Sequence, residues 1–331
     1  MSQQAELDHV LRQYSGIVLR GIEHLGGAGG FSGAAFWRIA TDDDDRLCLR
    51  RWPAEHPNRR QLQAIHDALR HVAEGGFAKL PVPFLSRDGQ TIVAEAGHLW
   101  ELAPWLPGKA DFHEHPTAER LDAAMVALAQ FHRGIQPLGA QTGNPPGITS
   151  RREQLDRLCA GGTNEMSRAV SVSAWPEFRQ CAAAILDGFN EHAPGLKPLL
   201  DSARRLRLPL HPCIRDIWHD HVLFEGNEVT GFVDFGAMRI EHVACDISRL
   251  LGSLVANDRS KWEQGLAAYQ TLKSLSDDEL MLVDAYDRSN VLLSGMNWVQ
   301  WIAVEDRQFE DRQRVLLRLD EIIARLATLT K

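Results

Sequence analysis

The spacing of apolar positions changes near residue 104. Residues 3–14 place Leu7, Val10 and Leu11 on one helical face. IVLRGIEHL, FWRIAT and RLCLRRW then alternate apolar and polar residues as strands do, with GGAGGFSGAA (residues 26–35) and DDDD (42–45) as the turns between them. PNRRQLQAIHDALRHVAEGG reads as a helix, with Pro57 near its start, Leu62, Ile65, Leu69 and Val72 along one face, and Gly75-Gly76 at its end. PVPFLS, TIVAEA and HLWELAPWL predict further strands. Beyond LPGK (106–109) the spacing becomes helical: TAERLDAAMVALAQFHRGI is strongly amphipathic. A loop is predicted over 138–150, and helices over 151–159, 175–189, 195–206, 243–256, 260–273, 277–304 and 308–328. HVLFEGNEVTGFVDFG interrupts them as a hairpin turning at EGNE. The pattern predicts an α+β protein: a small β-rich N-terminal lobe (1–103), a linker near 101–108, and a larger, mainly helical C-terminal lobe (104–331).

Composition narrows this little. A chain of 331 residues is long enough for two cores, and 44% hydrophobic with 24% charged residues is ordinary for a globular protein. The net charge of −8 argues against a broad nucleic-acid-binding face and leaves neutral or cationic small molecules as partners. The five cysteines are scattered without CxxC spacing, as reduced thiols would be, and no apolar run reaches the length of a membrane span. The N-terminus lacks an apolar signal core, so a cytoplasmic location is expected. Oligomeric state leaves no mark in the sequence.

The chemistry enters through four fragments. Phosphoryl transfer needs a flexible backbone loop over the phosphates, a cation beside them, an Asp that positions the attacking hydroxyl, and ligands for a divalent metal. GGAGGFSG, between two strands, lets backbone N–H groups approach phosphate oxygens; Gly29, Gly30 and Ser32 are its candidate contacts. RLCLRRW offers Arg50 and Arg51, which alternation places on opposite faces. IRDIWHDHVLF (214–224) matches the Arg, the Asp, the spacing and the following strand of the kinase loop H-R-D-x-x-x-x-N. DFG, at 234–236, follows one hairpin later. Taken singly each fragment is ordinary, since glycine turns, strand arginines and DFG triplets all occur as plain structure; their chain order is the signal.

IRDIWHDHVLF, GFVDFG and ACDISRLLGS, with LRRWP, WELAPWLPG and ALAQFHRG upstream, resemble the aminoglycoside phosphotransferase and choline kinase-type family of small-molecule kinases over roughly residues 15–255. The resemblance implies a bilobal protein-kinase-like fold, ATP with Mg2+ (Mn2+ as the alternative), and a small hydroxylated acceptor, with no membrane partner. It implies Asp216 as the catalytic Asp, Asp234 as a metal ligand, Arg50 in place of the phosphate-pairing Lys, and the backbone of Glu101, Leu102 and Ala103 against adenine. Asp246 would brace the catalytic loop.

Three departures complicate the resemblance. His221 stands where the family has a metal-binding Asn, and an imidazole favours softer ions than Mg2+. Trp218 replaces a loop His. The helix over 57–76 has no mid-helix Glu to pair with Arg50, leaving Gln61, Gln63 and Asp67 as alternatives. These losses define the competing reading, a kinase-fold nucleotide-binding or regulatory protein with little catalysis. His219 and Asp220 read as exposed loop residues first, with a direct role in the site as the alternative. Trp298 and Trp301 are read as core packing or as an acceptor-pocket wall.

Overall fold

The computed structural model describes residues 3–26, 33–43, 46–139, 141–309 and 311–329. The chain forms two compact units: Met1–Leu138 with His219–Met238, and Gly139–Trp218 with Arg239–Lys331. This division differs from the lobe boundary expected after residue 103. The first unit keeps the sequence through the first long helix of the helical half, and it recovers the hairpin that follows residue 218.

The first unit opens with helix α1 (Gln3–Leu11). Strands β1 (Leu19–Gly26), β2 (Ala35–Thr41) and β3 (Arg46–Arg51) follow, then α2 (Arg59–Glu74), β4 (Val93–Glu95) and β5 (His98–Pro104). The five strands form one antiparallel sheet in the order β1-β2-β3-β5-β4. Leu7, Val10 and Leu11 of α1 join Trp37, Ile39, Leu49, Trp100 and Leu102 of the sheet in a single core. Helix α2 begins at an Asn58 capping box closed by Gln61 and buries Leu62, Ile65, Leu69 and Val72. It also buries His66. PVPFLS, expected as a strand, joins no ladder: Pro81 and Pro83 have no N–H to give, and the segment touches the sheet through the Phe84 N–H donating to the Leu102 carbonyl at 2.8 Å. Helix α3 (Ala118–Ile135), capped by Thr117, completes this stretch.

The second unit takes up the chain at residue 139. Where a loop was expected over 138–150, the chain forms strand β6 (Gln141–Gly143) and then α4 (Pro146–Arg157). No side chain caps α4 locally. Pro146 fits the first turn, and the Gly147 N–H donates to Glu241 Oε2 at 2.6 Å, so the cap comes from far along the chain. Helix α5 (Thr163–Ser171) follows a π-helical turn that was not anticipated. The two helices expected over 175–189 and 195–206 are one, α6 (Pro176–Ala203), with Pro194 and Pro198 inside it. Its buried stripe runs on through Phe189, Ala193, Leu196 and Leu200, so packing outweighs the two lost backbone hydrogen bonds.

Strand β7 (Leu208–Cys213), obscured in the sequence by Pro209 and Pro212, leads to residue 218. The hairpin β8 (Val222–Glu225) and β9 (Glu228–Phe232) then returns to the first unit, turning at Gly226-Asn227 as expected. Strand β10 (Arg239–Glu241) pairs with β7 in a sheet of order β10-β7-β6. Four further helices, α7 (Ala244–Val255), α8 (Arg259–Gln270), α9 (Asp277–Val299) and α10 (Arg312–Ala327), lie close to their predicted spans. The core of this unit is built on Phe178, Phe189, Tyr269 and Tyr286, all fully buried. Among the described residues no helix is long and apolar enough to cross a membrane.

Candidate active site

In the first unit, Arg50 resolves the choice between the two strand arginines. It is 7% exposed, and its Nη2 donates to Asp234 Oδ1 at 3.1 Å. Its guanidinium lies 3.4 Å from the centroid of the Trp52 ring. Arg51 faces the other way, toward the rings of Trp37 and Trp100.

Asp234 follows β9, where the Val233 N–H donates to the His221 carbonyl at 3.0 Å and draws both ends of the hairpin together. His221 Nε2 then lies 3.8 Å from Asp234 Oδ2. Asp234 has φ 61°, a left-handed backbone that a non-glycine residue keeps only when its surroundings impose it. Burial pushes its carboxyl up, but the charges of Arg50 and His221 outweigh this and hold it below the ordinary Asp value. Carboxylate oxygen and imidazole nitrogen stand close enough to share one divalent cation, so the donor set fits a metal; the nitrogen suits Mn2+ better than Mg2+.

None of Gln61, Gln63 and Asp67 pairs with Arg50. Gln61 closes the α2 cap, and Gln63 donates to Asp67 at 2.9 Å on the exposed face. Helix α2 instead contributes His66, whose Nε2 lies 2.7 Å from Glu101 Oε2 and whose Nδ1 lies 2.8 Å from Thr91 Oγ1. Trp52 Nε1 donates to the same Glu101 oxygen at 3.0 Å. Glu101 sits opposite Arg50 in the β3–β5 register. Burial raises its carboxyl, but the His66 hydrogen bond, the charges of His66 and Arg50, and the Trp52 N–H together bring it below the usual Glu value. Arg50, Trp52, His66, Glu101, Asp234 and Phe235 line one concavity. A polar residue inside an otherwise apolar helix face was the available sign for His66. The side-chain role of Glu101 had no local sign.

The strand geometry also bears on the adenine contacts implied for Glu101 and Ala103. In an antiparallel ladder successive residues turn their backbone groups to opposite edges. The Leu99 carbonyl accepts from Trp52 N–H and the Trp105 N–H donates to the Arg46 carbonyl, both toward β3. Leu102 faces the other edge, toward Phe84. Glu101 and Ala103 therefore direct their backbone groups into the β3 ladder, opposite Arg50 and Cys48. Gly29, Gly30 and Ser32 lie outside the described residues.

In the second unit, Asp216 follows β7. Asp246, fully buried at the start of α7, accepts the N–H groups of Ile214 at 2.8 Å and Arg215 at 2.6 Å. This fastens the loop immediately before Asp216, and Arg215 carries a second left-handed backbone, φ 67°. Asp216 Oδ1 accepts a hydrogen bond from Arg249 Nη2, one turn beyond Asp246 on α7. Trp218 lies beneath the guanidinium of Arg318. Trp298 is buried against Trp301 and Phe309, with ring centroids 5.4 and 5.3 Å away.

A five-stranded antiparallel sheet with a catalytic-type Asp loop, a metal-type Asp and a strand arginine defines a kinase-like small-molecule phosphotransferase fold. The chain belongs to the phosphotransferase enzyme family, whose profile matches residues 25–280. Spectinomycin phosphotransferase, solved with ADP and spectinomycin, shares the fold at a TM-score of 0.66, covering 99% of this chain and 98% of its own at 12% identity. An amicoumacin kinase solved with AMP-PNP, Ca2+ and Ami does so at 0.64, covering 98% and 94% at 14% identity. In sequence, the homoserine kinase of Brucella anthropi is 25% identical over 227 residues, 67% of this chain and 63% of that relative. The chain thus spans less than two thirds of the length of that curated relative.

Proposed function

We propose that this protein is an ATP-dependent kinase that phosphorylates a hydroxyl group of a small molecule. The observation that carries the reading is Asp234, strained in its backbone, paired through one oxygen with Arg50 and set beside His221 through the other. On this reading the first unit binds the nucleotide and the second carries the catalytic Asp. Arg50 and the N–H groups around Gly29, Gly30 and Ser32 hold the phosphates, and Asp234 with His221 would hold a divalent cation, Mg2+ or Mn2+. When bound, that cation supplies charge neutralisation at the phosphates. With Glu101 and Ala103 turned into the ladder, the Pro104 carbonyl, on the outward edge of β5, is the group offered to adenine. Asp216 orients the acceptor hydroxyl and takes its proton as the new O–P bond forms to the γ-phosphorus and the bond from that phosphorus to the β–γ bridging oxygen breaks, releasing ADP. The kinases and phosphotransferases among the relatives support transfer over binding alone.

The test is thermal stabilisation by ATP with Mg2+, Mn2+ or no metal, followed by phosphate transfer to a panel of hydroxylated metabolites that includes L-homoserine. Stabilisation that requires a divalent ion, with a phosphorylated product, is the expected result. Nucleotide binding without product on a broad panel returns the protein to the regulatory reading.

A further inference from the structure

Helix α7 touches the loop around Asp216 at two points separated by one helical turn. Asp246 holds the backbone, through the N–H groups of Ile214 and Arg215. Arg249, three residues on and so on the same face, holds the Asp216 carboxylate itself. The first contact matches the brace that the sequence motif implies. The second does not belong to that motif.

Two features set the Arg249 contact apart from a stabilising ion-pair network. Arg249 and Asp216 are 28% and 45% exposed, a setting in which an ion pair adds little to stability. Among the described residues, the Nε of Arg249 is also buried without a hydrogen-bond partner, so that edge of the guanidinium is not tied into a wider network. A half-exposed Asp side chain otherwise samples several rotamers. Fixing Oδ1 fixes the plane of the carboxylate, and Oδ2 then has one direction instead of a circle of them.

We propose that Arg249 is a positioning residue: it locks the rotamer of Asp216, so that α7 presents the carboxylate already oriented for the acceptor hydroxyl. The proposal rests on Asp216 being the catalytic Asp. It assigns Arg249 no contact with substrate. Orientation of this kind is worth ~10–100-fold in rate when a reacting group is misplaced by a fraction of its working distance.

The test uses intrinsic ATP hydrolysis by the full chain with Mg2+ or Mn2+, in which water takes the acceptor's place. Arg249→Ala is expected to lower kcat by ~10–100-fold, with the KM for ATP and the melting temperature unchanged. Arg249→Lys, and guanidinium ion added to Arg249→Ala, should each restore part of the loss. In an Asp216→Ala background the same substitution should cost nothing further, because the two residues act as one. Additive losses, or a fall in kcat matched by a fall in melting temperature without rescue, would make Arg249 structural and overturn the proposal. Wild-type hydrolysis in Asp216→Ala would instead overturn the functional reading beneath it. A crystal structure of Arg249→Ala decides the matter without turnover: several orientations of Asp216 support the proposal, and one unchanged orientation refutes it.

Discussion

Asp234 and Asp216 are both carboxylates paired with an arginine, yet their surroundings set them different work. Asp234 is held ionised by Arg50 and His221 against the cost of burial, which suits a ligand that stays charged at any physiological pH. Asp216 is more open, and its carboxylate accepts a hydrogen bond from Arg249. Asp216→Ala should therefore cut phosphoryl transfer by orders of magnitude while leaving the affinity for metal-nucleotide nearly intact; calorimetric titration beside a coupled assay separates the two. Asp234→Ala should weaken metal-nucleotide binding itself. His221→Asn exchanges the imidazole for an oxygen donor, so the ratio of activity with Mg2+ to activity with Mn2+ should rise. At this scale the motif spacing singled out Asp216 and Asp234 as candidates, because both sit in continuous runs of chain. It could not identify Arg249, His66 or the Glu101 side chain, whose partners lie 25 or more residues away.

The elements carry a different set of consequences. Gly108, in the segment after β5, has φ 93°, and an added Cβ would stand 2.8 Å from the Phe224 carbonyl oxygen of β8. Backbone cannot yield as a side chain can. Gly108→Ala should cost about 1–3 kcal/mol in denaturant unfolding, loosening the Lys109–Phe224 bridge that ties this segment to the hairpin. Helix α9 begins with a capping box in which Glu279 also meets His242 Nε2 at 3.1 Å. Burial raises the Glu279 carboxyl, but the His242 hydrogen bond and the Ser276 N–H bring it to about 2, from 4.5. The lowered value means that the stabilisation is whole above pH 4.5 and is lost as pH falls toward 2. Acid titration of stability should show that loss in the wild type and a shallower one in Glu279→Gln, which keeps the box but not the charge. Elements with a clean period, such as α2, α3 and α7, were legible in the sequence. Helix α6 was legible only as two pieces, because Pro194 is a local signal to stop, and the apolar stripe that overrides it acts only once the helix is packed.

For the whole molecule, all five cysteines are free, as their scatter implied. The melting temperature should therefore be indifferent to a thiol reductant, and a fall on reduction would contradict the structure. By itself the sequence determined the fold class, the family resemblance and the two aspartates proposed as catalytic Asp and metal ligand. Those depend on periodicity and on motifs a few residues long, and local steric rules act at that range. Only the tertiary structure decided where the hairpin belongs, that Arg50 meets Asp234 across 184 residues of chain, and that a His66–Glu101 pair stands where a helix Glu was sought. A partner is chosen by which buried polar groups remain unsatisfied after packing, and no local stretch of sequence contains that information.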